Sequence, residues 1–545
     1  EGDAPQLWIM AVDGGEPRKL TDFPMGVGSP VISPDGKYIA VSSKVYPECG
    51  ADAECNETLA KDRKDGKLKV HMADTLLYRH WTSWRDGKYT HVLLVDAGTG
   101  KVVRDMTPGK WDAPTFSLGG PVGYAFSPDG KELVYVSNHE AHPESSTNSD
   151  IWAVPVDPQA AELTARNLTA DNHGWDGAPA FSPDGRYMAY LSQKTPGFES
   201  DLFRLALYDR KSGTVRYLTN RKTFDNWVDD VRWSADSRTL FFQAEEKGHN
   251  PLFRMDVATG RLKRLFAHGA IGGWEVEPDG DIVYSCRTTG QPPEIYRSSE
   301  DGSGRTRLTH FNEALESEVD IRPAEVMWVK GAGNYKVQVF IVKPHGFDPS
   351  KKYPLILNVH GGPQQQWMDA YRGDWQVYPG KGYIVAFANP TGSPGYGQDF
   401  VDAISCDWGG RVFEDLMKVT DALEKLPYVD TDRMGAMGWS YGGYMMMWFE
   451  GHTTRFKAIA AMMGVYDLRA MYSSTEELWF PEHDLCGRPW TSKDYKKFSP
   501  SEYVPNFKTP SLVITGEQDF RVPYTQSLEY FTDLQKMRVP SRLVV

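Results

Sequence analysis

Residues 438–442 read Gly438-Trp439-Ser440-Tyr441-Gly442, a Gly-x-Ser-x-Gly pattern. A serine hydroxyl is a poor nucleophile by itself. It gains reactivity when a neighbouring base takes its proton, and a sharp strand-to-helix turn holds it out for attack. The flanking residues suit such a turn. Arg433-Met434-Gly435-Ala436-Met437 is a short, largely apolar stretch before it, and Gly443-Tyr444-Met445-Met446-Met447-Trp448-Phe449 follows without proline. By itself the pattern is weak evidence. At this glycine content it arises by chance roughly once in a few chains of this length.

Two further stretches supply the missing chemistry. In Tyr353-Pro354-Leu355-Ile356-Leu357-Asn358-Val359-His360-Gly361-Gly362-Pro363, an apolar strand runs into a His-Gly-Gly-Pro loop. Backbone N–H groups of Gly361 or Gly362, with that of Tyr441, are expected to hold the oxyanion of an acyl-transfer reaction. In Pro510-Ser511-Leu512-Val513-Ile514-Thr515-Gly516-Glu517-Gln518-Asp519, a strand of buried type ends in glycine and an acid. Asp519 is the candidate that orients a catalytic histidine. Serine, then acid, then histidine is the order found in α/β-hydrolases.

The histidine is the open point. None of the 13 histidines follows Asp519; the last is His483. His360 belongs to the oxyanion loop. In this fold the base sits on the loop after the next strand, here Ser541-Arg542-Leu543-Val544-Val545. It is therefore expected beyond Val545, and residues 1–545 alone are expected to be inactive. Residue 1 is Glu, and Leu7-Trp8-Ile9-Met10-Ala11-Val12 already reads as a strand, so the chain is read as lacking both ends.

Longer apolar strands alternate with helical stretches after about residue 320, which predicts a mostly parallel sheet. The expected strands are 337–342, 355–359, 383–387, 433–437, 458–462, 512–515 and 542–545. Ile321-Arg322-Pro323-Ala324-Glu325 is expected to be a hinge. Before it the pattern is a repeat. Ser33-Pro34-Asp35-Gly36 recurs at 127–130 and 182–185, and more weakly at 234–237 and 277–280. Pro-Asp-Gly between short alternating strands is a hairpin signal. Strand–turn–strand units ending at Thr21, Thr107, Thr169, Thr219, Phe266 and Thr309 interleave with it. This period suits four-stranded propeller blades. An insertion at about 45–90 carries a Cys pair and a charged helical stretch. The expected architecture is a β-propeller over 1–320, seven-bladed with an incomplete first blade, then an α/β-hydrolase domain over 321–545.

At 545 residues the chain is too long for one core. Its 40% hydrophobic content is globular, and a net charge of −13 argues against a nucleic-acid partner. No apolar run reaches the 18 or more residues of a membrane span. Cys49 and Cys55, six apart in a polar loop, suit a disulfide and hence an oxidising compartment, periplasmic or extracellular. No second Cys or His pair stands at metal-site spacing, so no metal or other cofactor is expected. Cys406 and Cys486 flank the presumed site as a second candidate pair, and Cys286 reads as a buried thiol.

Taken together, a propeller, the His-Gly-Gly-Pro loop, Asn389–Gly397 (NPTGSPGYG), Asp407–Gly410 (DWGG), Gly438–Tyr444 (GWSYGGY) and Gly516–Pro523 (GEQDFRVP) resemble the prolyl oligopeptidase family of serine peptidases. Ser146-Thr147-Asn148-Ser149-Asp150 adds likeness to its bacterial branch of dipeptidyl and acylaminoacyl peptidases. The resemblance implies a propeller that caps the hydrolase and admits only short peptides. It implies that Ser440 attacks the scissile carbonyl, that Asp519 fixes the histidine, and that Tyr444 and Val522 wall an apolar specificity pocket. An exopeptidase also needs a carboxylate for the substrate's α-amine. Glu140 and Glu144 are the first candidates and the pair Glu476-Glu477 another. Dipeptide release from short peptides is the leading expectation. Release of acylated amino acids, ester hydrolysis and a non-catalytic peptide-binding scaffold are the alternatives. A homodimer is left open.

Overall fold

The computed structural model describes residues 4–115, 123–160, 162–266 and 269–545. Up to residue 307 it is built of small antiparallel sheets. Five have four strands each, and Trp8–Ile9 pairs with Arg18–Lys19 in a two-stranded sheet. Each unit read from the repeat thus corresponds to one sheet.

The repeated residues explain why every blade turns at the same place. In each Ser-Pro-Asp-Gly copy the serine hydroxyl meets the aspartate two residues on, as in Ser33–Asp35 at 2.7 Å and Ser127–Asp129 at 2.6 Å. The same serine then accepts the N–H that opens the next strand, Tyr38 at 3.0 Å and Glu132 at 3.0 Å. Gly36, Gly130 and Gly185 all take φ 70°, and in the weaker copy Ser237 is forced to φ 61°. The closing threonines have a matching task. Hydroxyls of Thr21, Thr107, Thr169, Thr219 and Thr309 accept from N–H groups of Leu7, Val92, Ile151, Leu205 and Ile295 at 2.8–3.0 Å. Each therefore ties the outer edge of its blade to the strand within.

The insertion forms helix Ala53–Asp65, capped by Asp52, and a two-residue hairpin pairing Arg79–His80 with Ser83–Trp84. A disulfide joins Cys49 to Cys55, and a second joins Cys406 to Cys486. Cys286 is a free, buried thiol.

From 324 onward the chain forms one eight-stranded sheet. Its central strand order is Tyr353–Val359, Val429–Trp439, Ala458–Met462, Ser511–Ile514, Ser541–Val544, all parallel. The other edge is antiparallel. There Ala324–Lys330 pairs with Lys336–Val342, which pairs with Ile384–Asn389. The expected hinge is therefore shorter than the sequence suggested. Ala324 and Glu325 already belong to a strand, because Ala324-Glu325-Val326-Met327-Trp328-Val329 alternates and one face packs inward. The step from propeller to hydrolase runs between Thr306–Arg307, the last propeller strand, and Ala324. Helix Tyr441–His452 is buried on every side, which accounts for its run of three methionines.

A polar seam joins the two domains beside the sheet. Gly248 N donates to Gln366 Oε1 at 3.0 Å, Gln366 Nε2 donates to His249 O at 3.2 Å, and Trp227 Nε1 donates to Gln398 Oε1 at 2.8 Å. No helix among the described residues is long and apolar enough to cross a membrane.

Candidate active site

Ser440 stands between the end of strand Val429–Trp439 and the start of helix Tyr441–His452, at φ 58° and ψ −119°. L-residues rarely adopt this conformation, and such strain persists only where the surroundings impose it. The surroundings do so here. Ser440 N donates to Met462 O at 2.9 Å, and Tyr444 N donates to Ser440 O at 2.9 Å. A Cβ on Gly442 would collide with Val359 O, and one on Gly443 with Met462 O. The glycines of the motif let helix and strands approach close enough to form the turn.

The His-Gly-Gly-Pro loop lies against this serine. A Cβ built on Gly361 would come 3.3 Å from Ser440 Cβ and 3.1 Å from Trp439 O. Gly362 takes φ 106°. His360 is buried, with Nδ1 2.7 Å from Gly361 O and Nε2 3.1 Å from Ser393 Oγ. Burial pushes its pKa down to about 4. It is neutral at pH 7 and serves as a strut for the loop. Tyr441 is buried, and its hydroxyl donates to Trp408 O, which leaves its backbone N–H at the helix start. Gly361→Ala is expected to push the loop away from Ser440. Because one oxyanion donor is worth about 10²–10³ in rate, kcat should fall by roughly that factor while the circular dichroism spectrum stays unchanged.

Asp519 is half-buried on the loop after strand Ser511–Ile514. Its Oδ1 accepts from Arg521 N at 3.1 Å and Val522 N at 2.9 Å. Burial moves its pKa above the ordinary carboxylate value, against those two N–H groups and the Arg521 charge. Val522 is buried at 5% exposure. Tyr444 is completely buried, its hydroxyl donating to Phe498 O at 3.0 Å. Both therefore sit in the same packed core, with almost no exposed surface.

Glu140 and Glu144 line a cavity of about 800 Å³ between the insertion, the adjoining propeller loops and Trp479 of the hydrolase. Glu140 is exposed and accepts from Asn148 Nδ2 at 2.9 Å. The Glu144 backbone carbonyl accepts from Leu478 N at 2.8 Å, an interdomain contact beside the Glu476-Glu477 pair.

That pair is the centre of a cluster whose other members the sequence reading did not single out. Arg521, two residues after Asp519, donates from Nε to Glu476 Oε1 at 2.9 Å and from Nη2 to Glu477 Oε1. Glu476 and Glu477 are 5% and 1% exposed. The insertion hairpin closes over them. Trp81 N donates to Glu476 Oε2, and His80 Nδ1 lies 2.9 Å from that oxygen. Phe520 N donates to Trp81 O at 2.9 Å, and the Arg521 guanidinium lies 4.3 Å from the centre of the Trp81 ring. From the propeller side, Glu199 Oε2 accepts from Trp479 Nε1 at 2.9 Å. Burial holds Glu199 and Glu477 above the ordinary carboxylate range, and the Glu199 charge adds to the rise at Glu477. Glu476 is held below it despite burial, by His80 and Arg521. Glu477 Oε2 is buried and has no hydrogen-bond partner. The place of Arg521 in Gly516–Pro523, next to a candidate catalytic acid, was the one available sequence signal.

The profile described as the prolyl oligopeptidase family matches residues 357–545, and that of the TolB beta propeller domain matches residues 121–338. Dipeptidyl-peptidase 5 of Porphyromonas gingivalis is 32% identical over 487 residues, covering 86% of this chain and 70% of the relative. Dipeptidyl-peptidase 5 of Porphyromonas endodontalis is 32% identical over 558 residues, covering 99% and 78%. Among solved structures, the acylaminoacyl peptidase of Pyrococcus horikoshii superposes with a TM-score of 0.82 at 20% identity, over 99% of this chain and 79% of that one.

Proposed function

The chain belongs to the prolyl oligopeptidase family of serine peptidases, and on that premise we propose that it removes dipeptides from the free N-termini of short peptides. The observation that carries the chemistry is Ser440 at φ 58° on a strand-to-helix turn, with the Gly361 backbone against its side chain. In this reading Ser440 Oγ attacks the scissile carbonyl. A histidine takes its proton and delivers it to the leaving amine. Asp519 orients that histidine and stabilises its charged form. The N–H groups of Tyr441 and of Gly361 or Gly362 hold the oxyanion. Each donor aimed at developing charge contributes about 3–4 kcal/mol.

Charge supports specificity for a free amine. Glu199, Glu476 and Glu477 face a single guanidinium, and Glu477 keeps one buried oxygen without a partner. An ammonium group at this place supplies the missing donor and the missing positive charge. Glu140 and Glu144, on the cavity wall, hold the more distant part of the peptide. The two disulfides support a periplasmic or secreted location.

The test uses the full-length protein and one short peptide in two forms, with a free and with an acetylated N-terminus, followed by mass spectrometry. Dipeptide release from the free form alone is the expected result. Release of an acetyl-amino acid from the blocked form would instead assign acylaminoacyl peptidase activity, and cleavage only of a matched ester would assign an esterase.

A further inference from the structure

We propose that His80, Glu476 and Glu477 form a binding site for a divalent transition-metal ion such as zinc, bridging the propeller insertion and the hydrolase domain. One ligand atom from each lies within 4.8 Å of the others. Tetrahedral zinc with bonds of about 2.0–2.2 Å places neighbouring ligand atoms about 3.3 Å apart. His80 Nδ1 and Glu476 Oε2 already stand 2.9 Å apart. Glu477 Oε2 is the independent sign of a cationic ligand. It is buried in a side chain only 1% exposed, and it has no hydrogen-bond partner.

Arg521 does not occupy the atoms required. Its guanidinium takes the Oε1 oxygens of both glutamates, which leaves both Oε2 oxygens outside that ion pair, Glu476 Oε2 beside His80 and bonded by Trp81 N, and Glu477 Oε2 without a hydrogen-bond partner. Charge favours the ion as well. Four carboxylates, those of Glu199, Glu476, Glu477 and Asp519, act on Arg521 or feel its charge. A dication reduces that surplus. An imidazole with two carboxylates suits zinc better than calcium or magnesium, which take oxygen ligands. The sequence showed no metal spacing because the first ligand lies at position 80 and the others at 476 and 477.

The occupant also neutralises the carboxylates assigned above to the substrate's amine, so bound zinc inhibits. This last clause rests on that assignment; the binding itself does not. Full-length protein stripped with EDTA is titrated with zinc sulfate by calorimetry, and peptide hydrolysis is followed in parallel. The expected result is one equivalent of zinc bound per chain, with affinity weakened tenfold or more in His80→Ala and in Glu477→Gln. Two variants on different domains guard against one of them failing to fold, and a thermal melt of each without zinc identifies such a failure. Unchanged zinc affinity in a folded His80→Ala or Glu477→Gln variant would overturn the site. Zinc that binds in the expected way without slowing hydrolysis would leave the metal site standing and overturn the placement of the amine.

Discussion

Ser440→Ala in the full-length protein should lower peptide hydrolysis by about 10⁴-fold or more while leaving peptide affinity nearly unchanged. The size of the effect follows from the loss of the whole nucleophile–base unit, since the remaining members cannot act without it. What persists is the rate supplied by oxyanion donors and substrate positioning. The substitution is mild for the fold. Alanine meets the same backbone cost at φ 58° as serine does, and the contacts that impose this geometry run through the backbone of Met462 and Tyr444. Steady-state kinetics with calorimetric peptide binding separates the two quantities. Retention of a tenth of the wild-type rate would remove Ser440 from the role of nucleophile.

The second large effect concerns stability. Arg521→Met keeps the apolar stem of the side chain but removes the guanidinium that bridges Glu476 and Glu477. Breaking a buried ion pair on one side costs about 3–5 kcal/mol, because the other charge stays buried without compensation. The melting temperature should fall by roughly 6 °C or more. The pH dependence has a definite sign. Arg521 lowers the pKa of both glutamates in the folded state, so its loss raises both and the folded variant binds more protons than the folded wild type. Its stability is then retained below the ordinary carboxylate range and lost as pH rises through the raised values. The deficit against wild type should therefore be larger at pH 8 than at pH 5, as melts at the two values would show. A deficit that grows toward low pH would mean that the arginine does not act through these carboxylates.

The strained turn at Ser440 and the glycine loop packed against it were legible in the sequence because their geometry is local. A few glycines around Ser440 and Gly361 decide the backbone path, and glycine spacing is visible in one dimension. The blade turns were legible for the same reason: Ser33 and Asp35 bond to each other within two residues. The carboxylate cluster was only half legible. Glu476 and Glu477 stood out as an adjacent pair, but their partners come from elsewhere. Glu199 meets Trp479 across 280 positions, and Trp81 meets Glu476 across 395. No periodicity encodes a contact of that kind, which depends on how two domains dock. The expectation for Tyr444 and Val522 shows the opposite limit. Their positions beside the motif were clear, but whether a side chain one helical turn from Ser440 faces a cavity or the core depends on the chain packed over it, here Phe498 for Tyr444.

The hairpin grip on the Asp519 loop sets an order of events in the cell. A ribosome makes Trp81 long before Glu476, and the hydrogen bond between them closes a span of 395 positions. Contacts so distant in sequence form late, after each domain has folded on its own. The acid loop therefore reaches its final setting only when the propeller is already seated above it. Until that docking, the loop that carries Asp519 lacks the hydrogen bond from Phe520 N to Trp81 O, so its final setting waits on the meeting of two separately folded parts.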